Sequence, residues 1–572
     1  MVVLDARGGR GVRRSRGGDA LDAAQDSLED YAFRYVPRSF RRWSTSAVGV
    51  TSLGSIAFLA DFSIGASVAV VHGSTSAVLG IALASAIIFV VGAPVAHCAA
   101  RYNLDLDLVA RGAGFGYYGS IITTLVFAGF TCIFFALEGA IMAQGLHAVL
   151  GVPLPLGYLV STVVVVPIVV HGMRALEPLQ AWTTPLWLVL ALLPLAWLVV
   201  SDPAVLDDFA SFPGTSSAGG AATLSGVVAS AAVCFALTPQ LAEQVDYLRS
   251  MPPRTPANRR SWWTWTVLAG PGWVLFSGVK QVLGALLAAY LLTRVDPGMG
   301  ARAVEPVQQF LALYSELVPA WLGAVATLLL IVVAQVKINV TNAYSGSLAW
   351  LNVWTRVRRS YPGRTVFVLF NLAMALGLML LDVFSLIGFV LSLYANVVMA
   401  WLVTIAVDLV VVRRVLGLGP RHPEFRKGML HGWNPVGLVS VGLSSALSLL
   451  TFFGAFGEAA RSFSVLVAIS VAALTTPAVA ALTRGRWYLR RTDDGIGSPL
   501  VDGDGNPSGQ RLRCHVTGYL FERPDMLAST QVGSSGEPLY VSSLALTLDP
   551  TDRYLLPPEP APGPHRTEAR GR

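Results

Sequence analysis

The chain is short of charge and of cysteine. Only 13% of its 572 residues are charged, whereas 54% are hydrophobic, and this balance excludes an ordinary soluble protein of that length. The four cysteines have neither metal-ligand nor disulfide spacing, so we expect them to act as small apolar residues. The sequence also shows no nucleophile–base arrangement, phosphate-binding loop or metal cluster. We therefore expect no enzyme activity, no cofactor and no metal.

Lysine is scarcer still. Three of the 41 basic residues are lysines, and two of them, Lys280 and Lys337, lie inside apolar stretches. A buried ammonium can lose its proton, whereas a guanidinium stays charged under almost any condition. Lys337, in TLLLIVVAQVKINVTNAYSG, is thus a candidate titratable group, and Lys280 is left without an assigned role. The alternative for both is a carboxylate partner or a side chain that reaches the membrane interface.

Long apolar runs, by contrast, are abundant. We count twelve of about 20 residues or more, the length that crosses a bilayer core about 30 Å thick. They lie at about 44–72, 75–99, 116–149, 155–172, 182–200, 220–240, 264–293, 319–346, 365–381, 384–411, 435–455 and 461–483. The least distinct boundary is at Asp382. The sequence predicts an all-α polytopic membrane domain over 44–485, between a basic N-terminal tail (1–43) and a polar C-terminal extension (486–572).

The arginines predict the orientation of these spans. With the N-terminus inside, most arginines fall in inner segments, and the outer loops keep Arg294, Arg302 and Arg461. The net charge of +7 then follows the positive-inside rule. It does not indicate nucleic-acid binding, because the arginines are spread over many short loops. We expect a multi-pass protein of the cell membrane, embedded in the lipid bilayer, with both termini in the cytoplasm.

Two spans are interrupted in their middle. The first contains Asp61 between apolar halves, and the sixth contains Thr238-Pro239-Gln240. The two spans are five helices apart, and matching breaks in two five-helix halves are typical of inverted-repeat transporters with a binding site at the midplane. Backbone groups freed at such breaks need a ligand, an ion or protein as partner. The alternative is that Pro239 is an ordinary packed kink.

Several segments resemble one transporter family. FFALEGAIMAQGL, PQLAEQVDYLR and GPGWVLFSGVKQVLGALLAAYLL are similar to segments of the purine–cytosine permeases, the nucleobase–cation symporter family, and the resemblance extends over about 35–485. It implies five plus five inverted helices and two more at the end. It also implies uptake of a small nitrogen heterocycle, such as a nucleobase, hydantoin, allantoin or related vitamin, driven by sodium or protons.

The resemblance also implies substrate contacts. The family's third helix has a stacking aromatic residue and, four residues later, a glutamine, which fall on Phe134 and Glu138. An asparagine of the eighth helix matches Asn342, or Asn339 if the register slips. Phe235 and Gln240 at the break of the sixth span, and Asp61 at the break of the first, are added to these positions. The predicted substrate-binding residues are therefore Asp61, Phe134, Glu138, Phe235, Gln240 and Asn342. This set suits a flat, nitrogen-rich ring.

The family's sodium site is altered in this sequence. Its Ser-Thr pair falls on Val336 and Lys337, and an ammonium there leaves no place for sodium. We expect Lys337 to occupy the cation site, to pair alternately with Asp61 or Glu138, and to make the proton the coupling ion, with Ala60 and Asp61 as the first-helix part of that site. The alternative is a permanent Lys–carboxylate pair in a uniporter or exchanger.

Other features leave alternatives open. Glu243, Asp246 and Arg249 have three-residue spacing and are either an inner gate or solvated residues. In the C-terminal extension, RLRCHVTGYLFERPDML and EPLYVSSLALTLD predict short strands of a small module. It resembles a degenerate zinc-ribbon module, since Cys514 alone cannot hold zinc. A transporter-like sensor, and an amine transporter in which Asp61 binds the amine, remain alternative functions.

Overall fold

The computed structural model describes residues 33–171, 173–215, 221–534 and 536–558. Most of the predicted N-terminal tail, residues 1–32, lies outside this part. The helices are α1 Thr45–Ser55, α2 Ala60–His72, α3 Ser74–Tyr102, α4 Leu106–Ala110, α5 Ser120–Leu150, α6 Leu154–Val163, α7 Val166–His171, α8 Met173–Ser201, α9 Ala204–Ala210, α10 Leu224–Cys234, α11 Gln240–Leu248, α12 Arg259–Ala269, α13 Trp273–Tyr290, α14 Pro306–Ser315, α15 Ala320–Arg358, α16 Arg364–Leu380, α17 Ile387–Val407, α18 Pro435–Phe452, α19 Glu458–Arg461, α20 Ser464–Leu482 and α21 Ser543–Leu548. The strands are β1 Arg511–Arg513, β2 Leu520–Glu522, β3 Met526–Val532 and β4 Pro538–Ser542.

The apolar helices follow the predicted spans. Among the described residues, ten helical stretches are long and apolar enough to cross a membrane, and α1 with α2 makes an eleventh if the bent pair is one span. The shorter apolar helix α16 occupies the predicted ninth span. Asp382, with a φ of 54°, separates α16 from the next span as expected. The polytopic α-helical fold class is confirmed.

Both predicted breaks are present. The axes of α1 and α2 differ by 50°, with four residues between the two helices. In the sixth span Pro239 has no N–H, and its ring displaces the carbonyl four residues earlier. That carbonyl, on Phe235, accepts instead from the N–H of Thr238 at 3.0 Å and from its Oγ1 at 2.5 Å. A short 3₁₀ turn, Phe235–Leu237, results between α10 and α11.

Two glycines bring α2 and α13 into backbone contact. A Cβ on Gly65 would collide with the backbone of Gln281, and one on Gly284 would collide with the backbone of Phe62. Only glycine allows so close an approach of two helices. The first span's second half is therefore packed directly along the seventh, which places polar side chains of α13 beside the first break.

The C-terminal extension contains a small folded module, residues 492–558. Strands β1 and β2 pair antiparallel, as do β3 and β4. The prediction of a strand over the last part of EPLYVSSLALTLD was wrong, because Ser542 caps a short helix by accepting from the N–H of Ala545 at 3.3 Å. Cys514 is buried, and its Sγ accepts from the N–H of Ser542. In the part of the chain that the structure describes, no three His, Cys, Asp or Glu residues form a metal-binding group.

This module packs against one end of the helical bundle. Arg426, between α17 and α18, donates to Asp494 at 2.8 Å and to the carbonyl of Met526 at 2.7 Å. Arg101, at the end of α3, donates to Asn506. We call this end of the bundle, next to the module, the module face.

Candidate functional site

The polar centre of the bundle lies at the break of the first span. The N–H of Ala60, the first residue of α2, donates to Glu138 Oε1 of α5 at 3.3 Å. Asp61 follows directly, and both Asp61 and Glu138 are fully buried. Two of the predicted acids are thus brought together by the first turn of α2, at the level where the helix is interrupted.

Lys280, which the sequence left unassigned, is the cation of this centre. Its Nζ lies 2.7 Å from Asp61 Oδ2 and also donates to the carbonyls of Ile56 and Phe58, the latter at 3.2 Å. Asp61 accepts in addition from Ser277 Oγ at 2.7 Å. The carboxylate is consequently engaged by side chains of α13.

Lys337 lies elsewhere. Its Nζ donates to Thr183 Oγ1 at 2.9 Å, to Thr184 Oγ1 at 2.8 Å and to the carbonyl of Gln180 at 3.1 Å, all on α8. The Gln180 amide donates back to the Lys337 carbonyl at 3.1 Å. The expected pairing of Lys337 with Asp61 or Glu138 was wrong, because the ammonium bonds to α8, whose Gln180 and Thr184 pack against Gly54 at the end of α1.

The break of the sixth span supplies further polar groups. Gln240 Nε2 donates to Glu243 Oε2 at 2.7 Å, so Glu243 belongs to this centre rather than to the inner gate. Phe235 is buried in the 3₁₀ turn beside them.

The third and eighth spans carry the remaining predicted contacts. Asn342 Nδ2 donates to Asn339 Oδ1 at 3.3 Å, and Asn339 Nδ2 donates to the carbonyl of Phe135 at 3.4 Å. Both alternatives for the family's asparagine therefore lie between α15 and α5. Phe134 is buried, one turn before Glu138, and its ring centroid lies 4.4 Å from that of Phe130.

Several buried acceptors of this centre have no hydrogen-bond partner among the described residues. They are Glu138 Oε2, Glu243 Oε1 and Asn342 Oδ1, and on α15 both ends of the Gln335 amide, the acceptor Oε1 and the donor Nε2, are also without one. Buried polar atoms are normally hydrogen-bonded, so such a group marks a place for a ligand. Four of these five atoms are oxygens, which suits a molecule that presents several N–H donors and at least one acceptor.

A second charged cluster lies between this centre and the module face. It lines a small cavity whose wall includes Asp105, Asp107 and Asp246. Arg249 bridges Asp246 at 3.3 Å and Asp105 at 3.4 Å. Asp246 and Arg249 are buried in an ion-pair network, so of the two alternatives left open for them, that of solvated residues is wrong.

The two loop carboxylates of this cluster differ in their titration. Burial raises the pKa of Asp105 to about 7, against the pull of Arg249. Burial acts on Asp107 in the same direction, but Arg111 at 2.7 Å and Arg356 at 2.9 Å outweigh it and hold its pKa at about 2. Asp105 therefore titrates near neutral pH, whereas Asp107 does not.

Sequence reasoning missed the residues that hold the two lysines. Ser277 and Gln281 on α13, and Thr183 and Thr184 on α8, carry no motif of their own. The spacing of Ser277, Lys280 and Gln281 at three and four residues on an apolar helix was the available signal, because such residues share one face.

Comparisons with known proteins agree with this architecture. Residues 35–465 match a family described as permeases for cytosine and purines, uracil, thiamine and allantoin. No curated protein matches the chain.

Solved structures give the same fold. One is Mhp1, a nucleobase–cation-symport-1 family transporter, in a closed conformation with bromovinylhydantoin bound. It is 15% identical to this chain with a TM-score of 0.60, and the match covers 80% of this chain and 99% of the Mhp1 chain. The inward-facing conformation of Mhp1 is 16% identical with a TM-score of 0.59, and the match covers 81% of this chain and 98% of the Mhp1 chain. A Na⁺-coupled sialic acid symporter in a substrate-bound outward-open state is 12% identical with a TM-score of 0.55, and the match covers 81% of this chain and 94% of the symporter chain.

Proposed function

The chain belongs to the permease family for cytosine and purines, uracil, thiamine and allantoin, and we propose that it imports a flat nitrogen heterocycle of the nucleobase, allantoin or hydantoin class by alternating access. It is a multi-pass membrane transporter and not an enzyme. The observation that carries the proposed substrate class is the set of unpartnered acceptor oxygens at the polar centre. Amide and ring N–H groups of such heterocycles are the donors that this set requires.

Each side chain of the site has one role in this proposal. The ring of Phe134 supplies a stacking face, and Phe235 a second one at the sixth-span break. Glu138 accepts an N–H of the substrate through Oε2, since its Oε1 is already held by Ala60. Gln240 and Asn342 complete the set with an amide each. An acid in place of the family's glutamine favours a donor-rich or protonated heterocycle over an acceptor-rich one.

We further propose that protons rather than sodium drive uptake. Lys337 replaces an oxygen ligand of the family's sodium pair, and a second cation within a few ångströms would be repelled. Its ammonium is held by three neutral oxygens of α8. Loss of the proton to the inside weakens this tie between α15 and α8 and favours inward opening. In this scheme Asp61 and Ala60 fix the first break and do not exchange the proton.

The orientation is part of the same proposal. We place the module face, with its arginines and both termini, in the cytoplasm of the cell, and the protein in the cell membrane. The cluster around Asp105 and Arg249 then lies on the cytoplasmic side of the substrate, where it acts as the inner closure of the site.

Uptake into proteoliposomes tests the proposal. Labelled cytosine, adenine, guanine, uracil, allantoin and hydantoin are offered under an imposed proton gradient and, separately, an imposed sodium gradient. We expect one class to accumulate under the proton gradient alone. Glu138→Gln should weaken its binding about tenfold or more, since hydrogen bonds to charged groups contribute about 1.5–3 kcal/mol.

Glu458→Gln, an exposed acid between α18 and α20, is the matched control and should bind normally. A strict requirement for sodium would contradict the role of Lys337. The absence of uptake for every compound would contradict the transport function itself.

A further inference from the structure

The break between α1 and α2 presents a set of oxygen atoms that is typical of a cation site. The carbonyls of Ile56 and Phe58 lie where the first helix has ended, and Asp61 lies in the first turn of the next. Carbonyls at a helix C-terminus carry partial negative charge. In transporters of this architecture, unwound backbone carbonyls at a break coordinate the coupling cation. Two carbonyls and a carboxylate are the oxygen ligands that hard cations take in proteins.

One ammonium already occupies this set. Lys280 Nζ contacts both carbonyls and Asp61 Oδ2, and it lies 3.8 Å from the centroid of the Phe58 ring. Cation–π attraction adds to the oxygen contacts at that distance. A lysine that only neutralised Asp61 would need one contact, whereas this one engages both carbonyls as well.

The surrounding helices hold the arrangement in place. Asp61 is fixed from the same face of α13 by Ser277 Oγ at 2.7 Å and Gln281 Nε2 at 3.0 Å. The glycine contacts at Gly65 and Gly284 keep α13 against α2. The ammonium and its ligands are therefore parts of one packed unit, and Lys280 is 6% exposed, too little for exchange with a hydrated ion.

We propose that Lys280 is a tethered cation that fills a monovalent-cation site at the first helix break, so that no metal ion binds there during transport. The inference deepens the proposed function, on which it rests, by assigning the charge at the break to the protein itself. It makes Lys280 a positioning residue: it fixes the start of α2, and through Ala60 the carboxylate of Glu138, without touching the substrate.

Removing the ammonium tests the proposal, because the vacated oxygens should then accept an ion. Lys280→Ala leaves room for a cation, whereas Lys280→Met fills the space with an apolar chain of similar length. Thermal stability of the purified protein is measured in sodium, potassium, ethylammonium and choline chloride at fixed pH and ionic strength. Heterocycle uptake is measured in the same salts.

We expect the wild type to show the same stability and uptake in all four salts. Lys280→Ala should be stabilised by sodium, potassium or ethylammonium relative to choline, and its uptake should rise at least tenfold in that cation. Lys280→Met should gain in none of them. Asp61→Asn added to Lys280→Ala should abolish the gain, because the carboxylate ligand is lost.

Three outcomes would overturn the proposal. They are a wild type stabilised by sodium over choline, a Lys280→Ala variant that is indifferent to every cation, and a gain that survives the added Asp61→Asn. A Lys280→Ala variant that cannot be recovered folded in any salt would overturn it as well, since ethylammonium would have replaced the missing group. The stability measurement needs no substrate, so it tests the cation site even if the proposed transport function fails.

Discussion

Two buried lysines of this membrane domain are held in opposite ways. Lys280 contacts a carboxylate, two backbone carbonyls and an aromatic ring at the first break. Lys337 contacts two threonine hydroxyls and one carbonyl of α8, and among the side chains that the structure describes no carboxylate reaches it. The ammonium of Lys280 has a carboxylate partner, whereas among the described side chains and carbonyls the ammonium of Lys337 has only neutral oxygen partners.

The difference separates a structural cation from an exchangeable proton. A neighbouring carboxylate favours the charged form of an ammonium, whereas burial among neutral groups disfavours it. Lys280 therefore has a fixed partner in Asp61, and Lys337 is the group that we propose gains and loses a proton. The scarcity of lysine in the sequence pointed to both residues but did not distinguish them.

The largest expected effect concerns stability. Lys280→Met leaves Asp61 buried without a counter-charge, and breaking a buried ion pair in this way costs about 3–5 kcal/mol of unfolding free energy. Lys337→Met should cost about 1 kcal/mol, since the hydroxyls of Thr183 and Thr184 already donate to carbonyls of their own helix. Denaturation in detergent micelles measures both.

Two variants serve as controls for that measurement. Lys280→Met combined with Asp61→Asn should recover most of the loss, because neither charge remains. Arg461→Met removes a cation whose side chain is 48% exposed and whose partner, Glu458, is 79% exposed, so its effect should be small. Equal losses for Lys280→Met and Lys337→Met would remove the distinction between the two sites.

The next effect concerns energy coupling. Lys337→Met should leave exchange of labelled substrate intact while concentrative uptake loses its response to a proton gradient. Coupling free energies are typically about 1–3 kcal/mol, so a decrease of about 5–150-fold in the accumulation ratio is expected. Uptake at several pH values, with and without the gradient, checks this. An unchanged pH dependence in Lys337→Met would show that the proton binds elsewhere.

A converse substitution makes the surroundings of Lys337 resemble those of Lys280. Thr183→Asp places a carboxylate beside Nζ and should hold the proton permanently, so gradient-driven accumulation falls although the protein stays folded. Thr183→Asn adds a similar volume without charge and is the matched control, for which coupling should persist. Loss of coupling in both variants would indicate a steric effect at α8 instead of an electrostatic one.

The spans and breaks were predictable from sequence because their signals are local. A run of apolar residues has to cross the bilayer, and Pro239 cannot complete a helix wherever the helix packs. The Lys280–Asp61 pair was not predictable in the same way, since it depends on α13 lying directly along α2. The glycines that permit this contact, at positions 65 and 284, are two among 55 in the chain.

Rotation about a helix axis was the second limit. α15 is apolar around much of its membrane portion, so its pattern does not reveal which neighbour each side chain meets. Lys337 was placed toward the first break by its position in the family's pattern and faces α8 instead. In the module, leucines at positions 544, 546 and 548 have the alternation of a strand, but the cap at Ser542 makes the segment a helix.

The smallest effect extends the comparison to the loop carboxylates. Asp105 has a pKa raised to about 7 by burial, whereas Asp107, beside two arginines, is held at about 2. Opening of the small cavity beside Asp105 would hydrate this carboxyl group and return its pKa to about 4. The closed state therefore binds a proton more tightly than the open state does. The resulting free-energy preference for the closed state is complete below about pH 4, declines as pH rises, and is lost above about pH 7.

Labelling of Ala349→Cys, which lines that cavity, by a water-soluble maleimide measures the opening. The control is Ala349→Cys combined with Asp105→Asn, because its thiol ionises in the same way. Between pH 6 and 8 the labelling rate of Ala349→Cys should rise by at most about tenfold more than the labelling rate of this control. Asp107→Glu keeps the paired carboxylate and should retain the pH response. Identical pH profiles with and without Asp105→Asn would mean that Asp105 stays in its ion pair with Arg249 throughout. The inner closure would then depend, like the first break, on a carboxylate that stays paired with a basic side chain.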